Sequence, residues 1–117
     1  MVPSTSMGKM KKDHLLGKLD LLILRILTTG ESMHGYAAAE RIEQFSDNVL
    51  QVGEGSLYPA PHRMDEAGWL RSEWAPSENN RRARYYRITA AGRRQLAEEE
   101  AEWLRAADAM TRVLRLA

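Results

Sequence analysis

The 117-residue sequence contains no cysteine. That excludes disulfides, thiolate nucleophiles, thiolate metal sites and iron–sulfur clusters together. It fits a reducing cytosol, and a cytoplasmic protein is expected. Long apolar runs are also missing. The longest, Leu19 to Leu27, is interrupted by Asp20 and Arg25 and falls well short of the ~20 residues a membrane span needs. Catalytic motifs are missing too. His14, His34 and His62 lie far apart, with no HxxxH or carboxylate–histidine spacing. No G-x-S-x-G is present. Val52-Gly53-Glu54-Gly55-Ser56 lacks the GK[ST] of a phosphate loop. The acids Glu98, Glu99, Glu100 and Glu102 form a helix face, not a paired dyad. An enzyme, a metal site and a bound cofactor are therefore not expected. Net charge is nearly absent as well, with 17 Lys and Arg against 16 Asp and Glu. Taken whole, that balance suggests no acidic partner.

What is present is a chain of one-domain length with an ordinary globular composition, 44% hydrophobic and 28% charged. Residues 1–12 are polar, carry no apolar signal segment and are expected to be disordered. From Leu15 to Leu27 apolar residues recur at spacings of three and four, which predicts a helix ended near Gly30. Leu21 and Leu24 make its remaining face apolar. A helix greasy on most sides needs cover on most sides, and a second subunit is expected to supply some of it.

A second helix is predicted from Gly35 to Phe45, ended by Ser46-Asp47-Asn48. Val49 to Val52 reads as a short strand. A third helix should start near the N-cap Ser56, turn Leu57, Ala60, position 61 and Met64 inward, and close at Gly68. Pro59 suits its first turn. Pro61, one turn into that helix, should kink it or tighten its first turn, at a local cost of up to about 3 kcal/mol.

Next comes a hairpin. Trp69 to Trp74 and Arg84 to Ile88 are its strands, and Pro76 to Asn80 its turn. Trp69 and Trp74 are expected to cover it against the core. Thr89 then caps a last helix whose seam is Leu96, Trp103, Ala107, Met110, Leu114 and Ala117, with Glu100 in the vacant slot. The expected fold is mainly α with a small β-hairpin. A winged helix-turn-helix over 13–89 is followed by a dimerisation helix over 90–117.

The chemistry concentrates in the hairpin. No acid occurs between Glu78 and Glu98, where Arg81, Arg82, Arg84, Arg87, Arg93 and Arg94 stand. Arginine offers a planar fork to phosphates and enters narrow minor grooves. Arg87 is the weakest member of the set and flanks the strand. The outward residues of the third helix include Ser56, His62 and Arg63, which can donate to phosphate or base edges. Tyr58 lies on the flank, where packing and phosphate bonding are equally open. Trp103 either packs across a dimer seam or stacks on a planar ligand.

These residues resemble a known family. Met33-His34-Gly35-Tyr36, Gly55-Ser56-Leu57-Tyr58-Pro59-Ala60, His62-Arg63-Met64, Gly68-Trp69-Leu70 and Arg84-Tyr85-Tyr86-Arg87-Ile88-Thr89-Ala90-Ala91-Gly92 look like the PadR family of bacterial transcriptional regulators. The short single last helix resembles its small-sized branch. Ser77-Glu78-Asn79-Asn80-Arg81-Arg82 resembles the acidobacterial-type subgroup. The resemblance implies a homodimeric repressor that binds double-stranded operator DNA at an inverted repeat. In such a regulator a small aromatic or phenolic effector can release the DNA. Carried over by position, Tyr36, Ser56, Tyr58, His62 and Arg63 would contact DNA from the helices, and Arg81, Arg82 and Arg84 from the wing. Leu16, Leu19 and Ile23 would join Leu96, Trp103, Ala107, Met110 and Leu114 at the dimer interface, with Trp103 as the effector contact. Pro61 departs from the family, which usually has Leu there. The competing expectation is a winged-helix protein-interaction module without specific DNA binding.

Overall fold

The computed structural model describes residues 18–30, 32–53, 59–79 and 81–116. The 1–12 segment lies outside the described residues, as do Leu15, Leu16, Ser56, Leu57, Tyr58, Asn80 and Ala117.

Among the described residues the chain runs α1 (Leu19–Leu27), β1 (Met33–His34), α2 (Gly35–Phe45), α3 (Pro59–Glu66), β2 (Leu70–Pro76), β3 (Arg82–Ile88) and α4 (Ala90–Leu114). The helix that is apolar on most sides, α1, sits at the centre. It packs against α2, α3, β3 and α4. Leu19, Leu21, Ile23, Leu24, Ile26 and Leu27 are all buried there. Each such side chain contributes about 1.5–3 kcal/mol on burial. This corrects the expectation that α1 needs a second subunit. Leu19 and Ile23 are 3% and 2% exposed within one chain, so neither has surface left for a dimer interface. Leu96, also expected at that interface, is buried in the same core.

The helix ends follow local chemistry. After Leu27 the Thr28 and Thr29 hydroxyls donate back to the Arg25 and Ile26 carbonyls. Gly30 follows at φ +135°. At the start of α2, Ala37 N–H donates to His34 Nδ1 at 3.1 Å, so an imidazole serves as the N-cap acceptor. At its end Asp47 and Asn48 take positive φ, 52° and 64°, a region these short polar residues tolerate. In α3 the Trp69 and Gly68 amides donate to the Met64 and Asp65 carbonyls, with Gly68 at φ +84°. That is the paired closure a left-handed glycine permits.

The sheet has three antiparallel strands in the order β1-β3-β2. β2 and β3 pair from Leu70↔Ile88 to Pro76↔Arg82. β1 adds Met33↔Tyr86 and His34↔Tyr85 on the other side of β3. The strand expected over Val49–Val52 is absent. Side chains take its backbone donors instead: Leu50 N–H goes to Ser46 Oγ and Val52 N–H to Glu43 Oε2. With those amides committed, no ladder forms.

Thr89 is fixed three ways between sheet and last helix. Its Oγ1 accepts from Gly92 N–H at 3.0 Å and donates to the Gly68 carbonyl at 2.7 Å, while its N–H donates to the Trp69 carbonyl. Glycine is required at 92, because a Cβ there would lie 2.1 Å from the Trp69 carbonyl oxygen. Of α4, only Gly92 and Leu96 are buried. Its 25 residues run about 37 Å, and the molecule extends 55 × 32 × 21 Å. No helix among the described residues is long and apolar enough to cross a membrane.

Candidate nucleic-acid interface

Strand alternation sorts the wing's side chains. Leu70, Ser72, Trp74 and Pro76 share one face of β2, opposite Ile88, Tyr86, Arg84 and Arg82 of β3. Near the base this face packs on the core through Leu70 and Tyr86, with Ile88 partly buried against them. Toward the tip it runs past the core and becomes the wall of a cleft. The cleft measures about 980 Å³. Its walls include the α2 start (His34, Tyr36, Ala37 and Glu40), the α3 residues Pro61 and His62, and the wing residues Trp74, Ser77, Glu78, Asn79, Arg81, Arg82 and Arg84. The wing tip is closed by Ser77, whose N–H and Oγ both donate to the Arg81 carbonyl at 2.7 Å.

Five of the expected DNA contacts therefore converge on one concave surface: Tyr36, His62, Arg81, Arg82 and Arg84. Ser56 and Tyr58 lie outside the described residues. Arg81 and Arg82 are exposed, and neither forms an ion pair among the described residues. Their guanidinium donors are open to phosphate.

Arg63 and Arg84 stand differently. Arg63 is not a lining residue of the cleft. It turns toward α1, where its Nη2 donates to Asp20 Oδ1 at 2.8 Å. Arg84 lines the cleft but is engaged from below. Its Nε donates to Ser72 Oγ at 2.9 Å and its Nη2 to Asp65 Oδ2 at 3.0 Å, while the Ser72 hydroxyl donates to the same carboxylate oxygen. Asp65 belongs to α3, so this cluster fastens the wing to the third helix. Arg84 thus holds the angle between the two walls. The sequence reading missed Asp65 and Ser72, because no local spacing links them to Arg84.

His62 carries Glu66 one turn on, at 3.9 Å and exposed, a weak pair that leaves the imidazole accessible. Trp74 departs from its expected place. It is exposed, with the Arg84 guanidinium 5.8 Å from its ring centroid. Only Trp69 packs against the core. The strand period carries the signal for this. Trp74 shares the core-side face of β2 with Leu70, but two rungs beyond the point where the core ends. Burial holds the Tyr86 phenol above its ordinary pKa of 10.0, against the pull of Arg84, while Asp65 pushes it the same way as burial.

Pro61 lines the cleft. It is the third described residue of α3. Its ring is buried with Ala60 and Met64. The kink or tightened first turn expected at Pro61 involves residues 54–58, which lie outside the described residues.

On α4, Trp103 is 42% exposed and Lys18 Nζ lies over its ring at 5.6 Å. Ala107 is half-buried, while Met110 and Leu114 are largely exposed, as are Leu104, Val113 and Leu116. No group of His, Asp and Glu among the described residues could hold a metal ion.

Solved structures share this architecture. A transcriptional regulator from Clostridium thermocellum is 28% identical, with a TM-score of 0.76 over 86% of this chain and 96% of its own. A PadR-like transcriptional regulator from Bacillus cereus is 27% identical, with a TM-score of 0.73 over 90% and 99%. A PadR family transcriptional regulator from Eggerthella lenta is 30% identical, with a TM-score of 0.72 over 90% and 88%. Residues 23–98 match the family described as "Transcriptional regulator PadR-like family". The chain therefore belongs to the PadR-like family and is a DNA-binding transcriptional regulator.

Proposed function

We propose that the protein is a homodimeric repressor that reads an inverted repeat. The observation that carries this reading is the cleft in which Tyr36, His62, Arg81 and Arg82 face one space. In a dimer, two such clefts would address half-sites about 34 Å apart. Arg81 and Arg82 would grip phosphate, and His62 would reach base edges. The second copy would pack on the α4 seam of Trp103, Ala107, Met110 and Leu114. That apolar surface projects from the domain, and contiguous exposed apolar patches of this kind mark association sites. A small aromatic effector would stack on the Trp103 ring.

The experiment is a gel-shift titration with the DNA upstream of its own gene, run with sedimentation of the complex. Two chains per inverted repeat are expected, and the Met110→Glu/Leu114→Glu double variant should sediment as monomers. A specific complex containing one chain, or a double variant that stays dimeric, contradicts the proposal.

A further inference from the structure

A second concave surface lies away from the DNA cleft. Leu27 and Ile88 form its floor, and Gly30, Ser32, Arg87 and Arg93 surround it. The space is about 560 Å³, within the range of small-molecule sites. Among the described residues its lining contains two guanidinium groups and no acid. Neither Arg87 nor Arg93 forms an ion pair among the described residues. Arg71 stands directly opposite Arg87 in the β2–β3 ladder, and like charges so placed are destabilising. Glu73, the next residue on that strand face, forms no ion pair either. One corner of the molecule therefore gathers cations whose repulsion a bound anion would relieve.

This corner is separate from the DNA cleft. Arg87 points to the sheet face opposite Arg82 and Arg84. It lies five residues along β3 from Arg82, about 17 Å. A phosphate held in the cleft does not reach it.

We infer that Arg87, Arg93 and the Ser32 hydroxyl form a binding site for a small tetrahedral dianion, inorganic phosphate or an organic phosphate monoester. Two guanidinium groups supply charge-assisted donors to its oxygens. The hydroxyl adds one donor, and the Leu27–Ile88 floor accommodates an apolar substituent.

The test is calorimetric titration of the full chain, without DNA, at constant ionic strength set by chloride. Inorganic phosphate and a short alkyl phosphate are the two probes. Both should bind, the alkyl phosphate more tightly if the floor is used. The Arg87→Gln/Arg93→Gln variant should lose at least tenfold in affinity, with its thermal midpoint in chloride checking that it is folded. The Arg81→Gln/Arg82→Gln variant should bind phosphate like the wild type while losing DNA, which separates this site from the wing. Glu31→Gln should change the affinity less than threefold. No phosphate-specific heat, loss of binding in the wing variant instead, or binding seen only in Glu31→Gln would each overturn the proposal.

Discussion

Single residues set the shape of the cleft between wing and third helix, and Arg84 is the clearest case. Counting arginines places it with Arg81 and Arg82 as a wing contact. Its pairing places it in the joint between α3 and the wing, because Asp65 and Ser72 come beside it only once the hairpin folds back. Charge composition is legible in a sequence, but the partner that occupies a charge is not. Asp65→Asn should therefore act in two ways. It should lower stability by about 1 kcal/mol, since the pair is partly solvated, read by chemical denaturation. It should also free Arg84, so that discrimination between operator and unrelated DNA falls, read by competition binding.

Tyr86, at the base of the same face, offers a pH test. Its folded pKa lies above 10.0 because of burial. The stabilisation from its neutral form is then fully present below about pH 10 and is lost as pH rises through the folded value. The alkaline fall in stability should be shallower in Tyr86→Phe than in the wild type, measured by thermal melts from pH 8.5 to 11.

At the scale of elements, legibility tracked how local the cause was. The α2 stop at Asp47-Asn48, the α3 stop at Gly68 and the Thr89 cap are each built within a few residues, and each could be read. β1 could not, because two residues, Met33 and His34, show no period. It exists only because β3 offers an edge. Val49–Val52 failed in the opposite direction. Its residues are β-prone, but Ser46 and Glu43 take the Leu50 and Val52 amides. The α1 pattern was read correctly as a helix needing cover all round, but that cover comes from α2, α3, β3 and α4 of the same chain. The tightest junction is at Gly92, against Trp69 and Ile88. Gly92→Ala should cost about 1–3 kcal/mol through overpacking. Since the junction sets where α4 leaves the sheet, the loss should appear in the melting midpoint before any change in DNA contacts.

At the scale of the whole molecule, the net charge of +1 conceals a segregated distribution. Residues 79–97 hold six arginines and no acid, while residues 98–117 hold five acids and three arginines. The fold carries the first set onto the wing and the start of α4, and the second along the projecting helix. A neutral total is thus compatible with a basic surface for a polyanion at one end and, in the proposed dimer, an association surface at the other. In the proposed complex the exposed wing arginines bind DNA by displacing counterions from phosphate. The most direct measurement is operator affinity against salt concentration for the wild type and for Arg82→Ala. The logarithmic plot should fall steeply for the wild type, and its slope should lessen by about 1 in the variant, with every DNA sequence weakened alike. A flat wild-type response, or an unchanged slope in Arg82→Ala, would contradict it.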